Sequence, residues 1–254
     1  MVSTERSLKT GRQQLLRAFD QGLRKGRTTE TEREAAPGGI LFDIDLNVLG
    51  DRQFVFEAVR EHESTKVELF AKLDKIIDDP GVIFASNTSA IPITRLARAT
   101  QSPERVTGVH FFSPAPVILV VELISSLLTT DDTYTRTELF VTRTLGKEVI
   151  KSPDRAGLVV NTLLVPYLPS AVRLVEHGFA SPEAVDKGMV LGCSHPVGPL
   201  KLADLIGLDA IASVAAILYE EFKEPQYSSP PPLLCMVKDG LLGKKTGRGF
   251  HGYL

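Results

Sequence analysis

Between residues 39 and 150 the apolar residues fall in short runs separated by helical stripes, and this alternation constrains the fold more than any other feature. Residues 40–42, 54–59, 82–86, 106–110, 118–123 and 147–150 are compact apolar runs, the pattern of strands covered on both faces. Between them, residues 64–77 place Val67, Phe70, Leu73 and Ile76 on one stripe, as a helix would. Residues 93–99 and 133–145 read as further helices, and 46–49 as a single helical turn. Strands alternating with helices predict an open α/β sheet, in which ligands sit beyond the carboxyl ends of the strands.

The flanking regions lack that alternation. Residues 8–25 form an amphipathic helix with Leu8, Leu15, Leu16, Phe19 and Leu23 near one face. Thr29, followed three residues later by Glu32, opens a second short helix over 28–33, and Pro37-Gly38-Gly39 breaks it. A helix in this position needs a sheet to cover, and no strand precedes it. After Ser152-Pro153-Asp154 the strand signals stop. Residues 159–176 read as a long apolar helix, kinked by Pro166 and Pro169. Ser181-Pro182-Glu183 caps a helix over 183–190. Residues 200–221 are helical with a break at Gly207, and a short helix over 233–238 leads into the glycine-rich end GLLGKKTGRGF. The expected organisation is therefore an α/β unit over residues 1–152 and an all-helical unit over 153–254.

Composition removes several classes of function. With 29 basic against 31 acidic residues there is no basic surplus for a nucleic acid. No apolar stretch reaches the roughly 18 residues that would span a membrane. The first residues carry charge where a signal peptide needs an apolar core, so a cytoplasmic protein is expected. Cys193 and Cys235 have no metal-ligand spacing near them. No metal site is expected, and the two thiols read as small buried side chains in a reducing compartment.

The chemistry-bearing stretch is residues 106–122, VTGVHFFSPAPVILVVE. It sets His110 and Glu122 in a run of aliphatic residues, where ionisable groups are paired or put to use. Ser86 to Ser89 and His110 both fall at carboxyl ends of expected strands, the ligand-binding position of an α/β sheet. Taken alone, each residue has a plainer reading. His110 could be a buried structural histidine, Glu122 a partner of a backbone donor, and Glu61 with Lys66 a solvated helix face. His62, His177 and His251 read as surface positions. Lys244-Lys245-Thr246 has the wrong order for a phosphate loop.

At ASNTSAIPIT, HFFSPAPVILVVE, VVNTLLVPYLPSA, SHPVGPLKLADLIGLD and GKKTGRGF the chain resembles the 3-hydroxyacyl-CoA dehydrogenase family, and looks closest to its small bacterial 3-hydroxybutyryl-CoA dehydrogenases. The resemblance implies an N-terminal dinucleotide domain, a C-terminal helical domain that makes a homodimer, and a site in the cleft between them. It also implies NAD-dependent oxidation of the 3-hydroxyl of a short-chain acyl-CoA, or the reverse. By that resemblance His110 is the catalytic base, Glu122 its orienter and Asn161 the helical-domain asparagine. Ser89 touches both cofactor and substrate. Glu61, Lys66, Asn87, Ser113 and Lys245 fall on positions near the nicotinamide and ribose.

The sequence departs from the family pattern at two places. Ser113 in HFFSP stands where the family usually has asparagine, and a serine reaches less far toward the nicotinamide. Nothing before residue 40 fits the strand, G-x-G-x-x-G turn, helix and second strand with which the family begins, and residues 7–36 look like the helices that follow it. Without that turn no helix N-terminus faces the pyrophosphate, so weak NAD binding, a bare sheet edge and a poorly covered first helix are expected. Two functions remain open at this point: an NAD-dependent dehydrogenase, or an impaired homologue that keeps the dimerisation or acyl-CoA surface.

Overall fold

The computed structural model describes residues 4–253. Its α/β unit is a five-stranded sheet in the order β1 (Phe54–Glu57), β2 (Ile83–Ser86), β3 (Val106–Phe111), β4 (Val120–Ser125) and β5 (Glu148–Pro153). The first three strands run parallel. β4 turns back antiparallel to β3, and β5 follows β4 in parallel. The connection from β3 to β4 is too short for a crossover helix, which forces the antiparallel return. The sheet is thus mixed rather than purely parallel.

Helices cover both faces. On one side α3 (Glu63–Ile76) and α4 (Ile93–Ala97) pack Phe70, Leu73, Ile93 and Leu96 against Val55, Phe84, Val106 and Ile124. The expected stripe of α3 is the buried one: Phe70 and Leu73 are buried, with Val67 and Ile76 against the same cluster. On the other face Ala85, Val109, Val121 and Leu123 meet Val141, on the π-helical turn that continues α5 (Asp131–Leu139). Gly108 lies under α4 on the first face; a Cβ there would meet Ile124 and Ile93 at 2.6 and 2.8 Å. That close approach fixes the height of β3 two residues before His110.

The amino-terminal part differs from the rest. α1 (Glu5–Arg24) is capped by Thr4 and Ser7, and α2 (Glu30–Ala35) by Thr29 and Glu32, as the sequence pattern predicts for the second. Neither helix buries a single residue. Residues 40–42, expected as a strand, form none and have no strand partner among the described residues, with Leu41 69% exposed. A strand needs a neighbour for its amides, and β1, the sheet's outer strand, pairs only with β2. Half-exposed Phe54 and Phe56 stack at 4.7 Å beside that edge, with Phe140 at 4.8 Å from Phe54.

The helical unit is built on α6 (Val160–Glu176), which runs through Pro166 and Pro169 as one element and buries Val165, Leu168, Ala171 and Val172. Each proline costs an isolated helix about 3 kcal/mol, offset here by the helix's position in the core. Around α6 lie α7 (Pro182–Gly192), α8 (Pro199–Ile206), α9 (Leu208–Phe222) and α10 (Pro231–Lys238). The break expected at Gly207 is a 95° bend between α8 and α9. Gly207 has φ 107°, a conformation that other residues adopt only under strain. Among the described residues no single helix is long and apolar enough to cross a membrane.

Two expectations fail in this unit. Cys193 and Cys235 are exposed rather than buried, the first at the C-cap of α7 and the second on the outward face of α10. His251 is not a plain surface residue. Its Nε2 lies 2.8 Å from Asp186 and its amide donates to Asp204 at 2.8 Å, so it fastens the tail to α7 and α8.

Candidate active site

The antiparallel register of β3 and β4 sets His110 directly opposite Glu122. His110 is 8% exposed and Glu122 fully buried, with Nδ1 2.8 Å from Oε2. The other carboxylate oxygen of Glu122 accepts the amides of Val159 and Val160, both at 2.9 Å. These are the first amides of α6, which otherwise lack partners, at the positive end of the helix dipole. Glu122 thus accepts two backbone N–H groups at a helix N-terminus, surroundings that favour an ionised carboxylate. An ionised Oε2 can only accept, so Nδ1 of His110 is the donor and Nε2 of the neutral ring keeps its lone pair.

The same carboxylate ties the two units together. α6 begins at Glu122, and Asn161 is its second residue. Asn161, Ser89, His110 and Ser113 line one cleft of about 340 Å³, whose remaining wall includes Phe112, Leu164, Leu168, Ile206 and Ile211. His110 meets the Phe112 ring edge-on at 4.8 Å. Few polar groups converging in an otherwise apolar cleft is the usual form of a small-molecule site.

Ser89 lies in the turn after β2. Its amide donates to Glu61 at 3.1 Å, and its carbonyl accepts from Gly157 at 3.3 Å. The Ser89 hydroxyl has no partner among the described residues. Asn87 stands behind the cleft, where its Oδ1 accepts the amide of Phe111 at 2.8 Å and joins the ends of β2 and β3. Asp154, in the connection between the units, caps α4 by accepting from Ile93 and Thr94 at 2.6 and 2.8 Å.

The remaining expected residues sit differently from one another. Glu61 is partly exposed and faces the Ser89 turn. Lys66 is fully buried and paired with Glu57 and Glu61, so it is no solvated face and does not reach the cleft. Lys245 pairs with Asp209, next to the cleft-lining Ala210. Burial pushes the Asp209 carboxyl up, but the Lys245 hydrogen bond and charge, with backbone amides, outweigh this and hold it below the ordinary range.

Sequence reasoning missed three buried carboxylates, Glu57, Asp186 and Asp204, and the half-buried Asp154. Asp186 accepts the amides of Leu200 and Lys201 at the start of α8, at 2.8 and 3.0 Å. Asp204 accepts those of Phe250 and His251, and the Tyr253 hydroxyl at 3.1 Å. Burial, then the Asp204 charge and hydrogen bond, push the Tyr253 phenol up. The three aspartates cap backbone far away in sequence, and Glu57 meets the side chains of Lys66 and Ser86, so no local pattern announces them.

The comparisons with known proteins agree with this architecture. A family model for the NAD-binding domain of 3-hydroxyacyl-CoA dehydrogenase matches residues 2–155, and one for its C-terminal domain matches 157–253. The chain belongs to the 3-hydroxyacyl-CoA dehydrogenase family. A 3-hydroxybutyryl-CoA dehydrogenase of Mycobacterium tuberculosis is 51% identical over 249 residues, covering 98% of this chain and 87% of the relative. The human mitochondrial hydroxyacyl-coenzyme A dehydrogenase is 40% identical, over 94% of this chain and 73% of its own. The crystal structure of M. tuberculosis FadB2 superposes with a TM-score of 0.96 at 51% identity, covering 99% of this chain and 88% of that one. That of (S)-3-hydroxybutyryl-CoA dehydrogenase PaaH1 from Ralstonia eutropha gives 0.89 at 39% identity, over 99% and 88%. A dinucleotide domain followed by an all-helical domain is thus the family's fold as well as this chain's, and NAD its cofactor.

Proposed function

We propose that this dehydrogenase oxidises the 3-hydroxyl of a short-chain (S)-3-hydroxyacyl-CoA, with 3-hydroxybutyryl-CoA the preferred size, and runs the reverse reduction. The observation that supports this most is the His110–Glu122 pair opening onto a cleft shared with Ser89 and Asn161. Nε2 of His110 takes the hydroxyl proton as the carbon gives up its hydride, and Glu122 stabilises the imidazolium that forms. In the reducing direction the imidazolium returns that proton to the developing alkoxide. Ser89 and Asn161 donate to the substrate oxygen or the thioester carbonyl. The apolar wall from Leu164, Leu168 and Ile211 excludes water from the reacting carbon.

The chemistry that bound NAD supplies is hydride acceptance. Ser89 and Ser113 fit its nicotinamide end, because they line the cleft at the carboxyl ends of β2 and β3. Glu61 lies beside them through the Ser89 amide. Lys66 acts from behind Glu61, and Asn87 holds β3 in place. Among the described residues no glycine-rich turn opens a helix at the outer edge of β1 to meet a pyrophosphate.

We take residue 152 as the boundary of the NAD-binding unit and the helical unit as the homodimer interface. Leu163, Leu174, Phe179 and Leu191 are exposed on it, apolar surface that a second copy would cover. A cytoplasmic site of action follows from the CoA substrate and the free thiols.

Acetoacetyl-CoA mixed with millimolar NADH tests the reading. NADH absorbance should fall only when both are present, with one (S)-3-hydroxybutyryl-CoA formed per NADH consumed. No consumption at any NADH concentration overturns it.

A further inference from the structure

One buried ionic cluster takes no direct part in this chemistry. Lys66 is fully buried, and its ammonium donates to both oxygens of Glu57, at 3.0 and 2.9 Å, and pairs with Glu61 Oε2 at 3.1 Å. Glu57 is 3% exposed and also accepts the Val59 amide at 2.6 Å and the Ser86 hydroxyl at 2.5 Å. Neither Glu57 nor Lys66 lines the cleft. Glu61 bridges the two regions. Its Oε2 faces Lys66, while Oε1 accepts from the Thr88 hydroxyl and from the amides of Ser89 and Ala90, at 3.1 and 3.2 Å. A chain of ionic contacts thus runs from the core, Glu57 to Lys66 to Glu61, and ends on the backbone of a cleft-lining serine.

Stability alone does not call for this arrangement. Apolar side chains of similar volume often match or exceed a buried ion pair, and two carboxylates to one ammonium make the burial harder. What the cluster supplies is direction. With its other protons committed to the two oxygens of Glu57, Lys66 points its third at Glu61 and holds that carboxylate in one orientation. Glu61 in turn presents Oε1 to two successive amides. The Ser89 carbonyl is held from the opposite side by Gly157, so the residue is clamped at both ends while its hydroxyl stays free.

We propose that Glu57, acting through Lys66 and Glu61, is a positioning residue for Ser89. The assignment rests on the dehydrogenase reading, and one arm of its test does not. In Glu57→Gln the ammonium loses its ionic anchor, Glu61 is free to swing toward Lys66, and the Ser89 turn loosens. For acetoacetyl-CoA reduction kcat should fall about 10- to 100-fold, as for a small misplacement of a reacting group, with KM within about twofold. Added to Ser89→Ala, Glu57→Gln should cost no further kcat, because residues acting through one another are not additive. In the cofactor-free protein the Ser89 and Ala90 amides should exchange at least about tenfold faster, with those of β3 unchanged. Unchanged exchange at Ser89 and Ala90, or additive losses in the double variant, overturns the proposal. Were the wild type inactive, the dehydrogenase reading would fail and the exchange result would still decide the positioning role. Should Glu57→Gln not fold, Glu57→Asp keeps the charge, withdraws it by one methylene and gives the same exchange readout.

Discussion

At the residue scale the molecule turns on Glu122, which joins His110, the proposed base, to the first turn of another unit's helix. Its replacement by glutamine keeps the volume and removes an acceptor, leaving an amide group facing donors on one side or the other. Glu122→Gln should lose about 1–3 kcal/mol of stability, the cost of an unsatisfied buried group, read from thermal unfolding. It should also lower kcat by at least about 10²-fold, the share general acid–base catalysis supplies. In the wild type, nitrogen-15 histidine spectra should show the proton of neutral His110 on Nδ1; Nε2–H there would contradict the geometry. The pair itself is legible in the sequence, since a histidine and a glutamate in an aliphatic run must be paired or used. What is not legible is the second half of Glu122's role. Its contact with Val159 and Val160 spans units that only folding brings together.

At the scale of elements, α1 and the closing loop hold by different means. α1 buries no residue, so it rests on its caps, its propensity and exposed pairs such as Arg33 with Asp20 at 2.9 Å. Helices without tertiary support are marginal in water. Its amides should therefore exchange with protection factors below about 10², while those of β3 follow global unfolding. The loop bearing Lys245 is held through Asp209, whose folded-state pKa is depressed by Lys245 and backbone amides against the opposing effect of burial. A depressed carboxyl contributes stability above its ordinary value, 3.8, and loses it as pH falls through the lower folded value. Lys245→Met should therefore lower stability at pH 6 by no more than about 1 kcal/mol for so exposed a pair, seen as a small drop in melting temperature, and leave it unchanged near pH 2. Most elements are legible in the sequence because burial follows the apolar period, as along α3 with Phe70 and Leu73. Residues 40–42 mislead for the complementary reason: three apolar residues suit a strand, but pairing needs a neighbour that the local pattern cannot supply. The buried Lys66 misleads in the same way, since its pairing with Glu57, nine residues earlier, and Glu61 is what makes its burial tolerable.

At the scale of the whole molecule the two halves of a dehydrogenase site are unequally furnished. On the proposed acid–base side, His110, Glu122, Ser89 and Asn161 converge from both units. On the dinucleotide side, β1 is the sheet's bare edge and Phe54 and Phe56 stack half-exposed beside it. With NADH varied in the acetoacetyl-CoA assay, the 254-residue chain should show a KM for NADH at or above about 1 mM, the top of the ordinary range. Saturation at micromolar NADH would mean that other residues hold the adenosine end. The central claim, that His110 moves the substrate proton in the cleft between the units, is tested most directly by single-turnover reduction of acetoacetyl-CoA in His110→Ala and wild type. The rate should fall about 10²- to 10⁴-fold while acetoacetyl-CoA affinity stays within about threefold. A variant that reduces the substrate as fast as the wild type would contradict it.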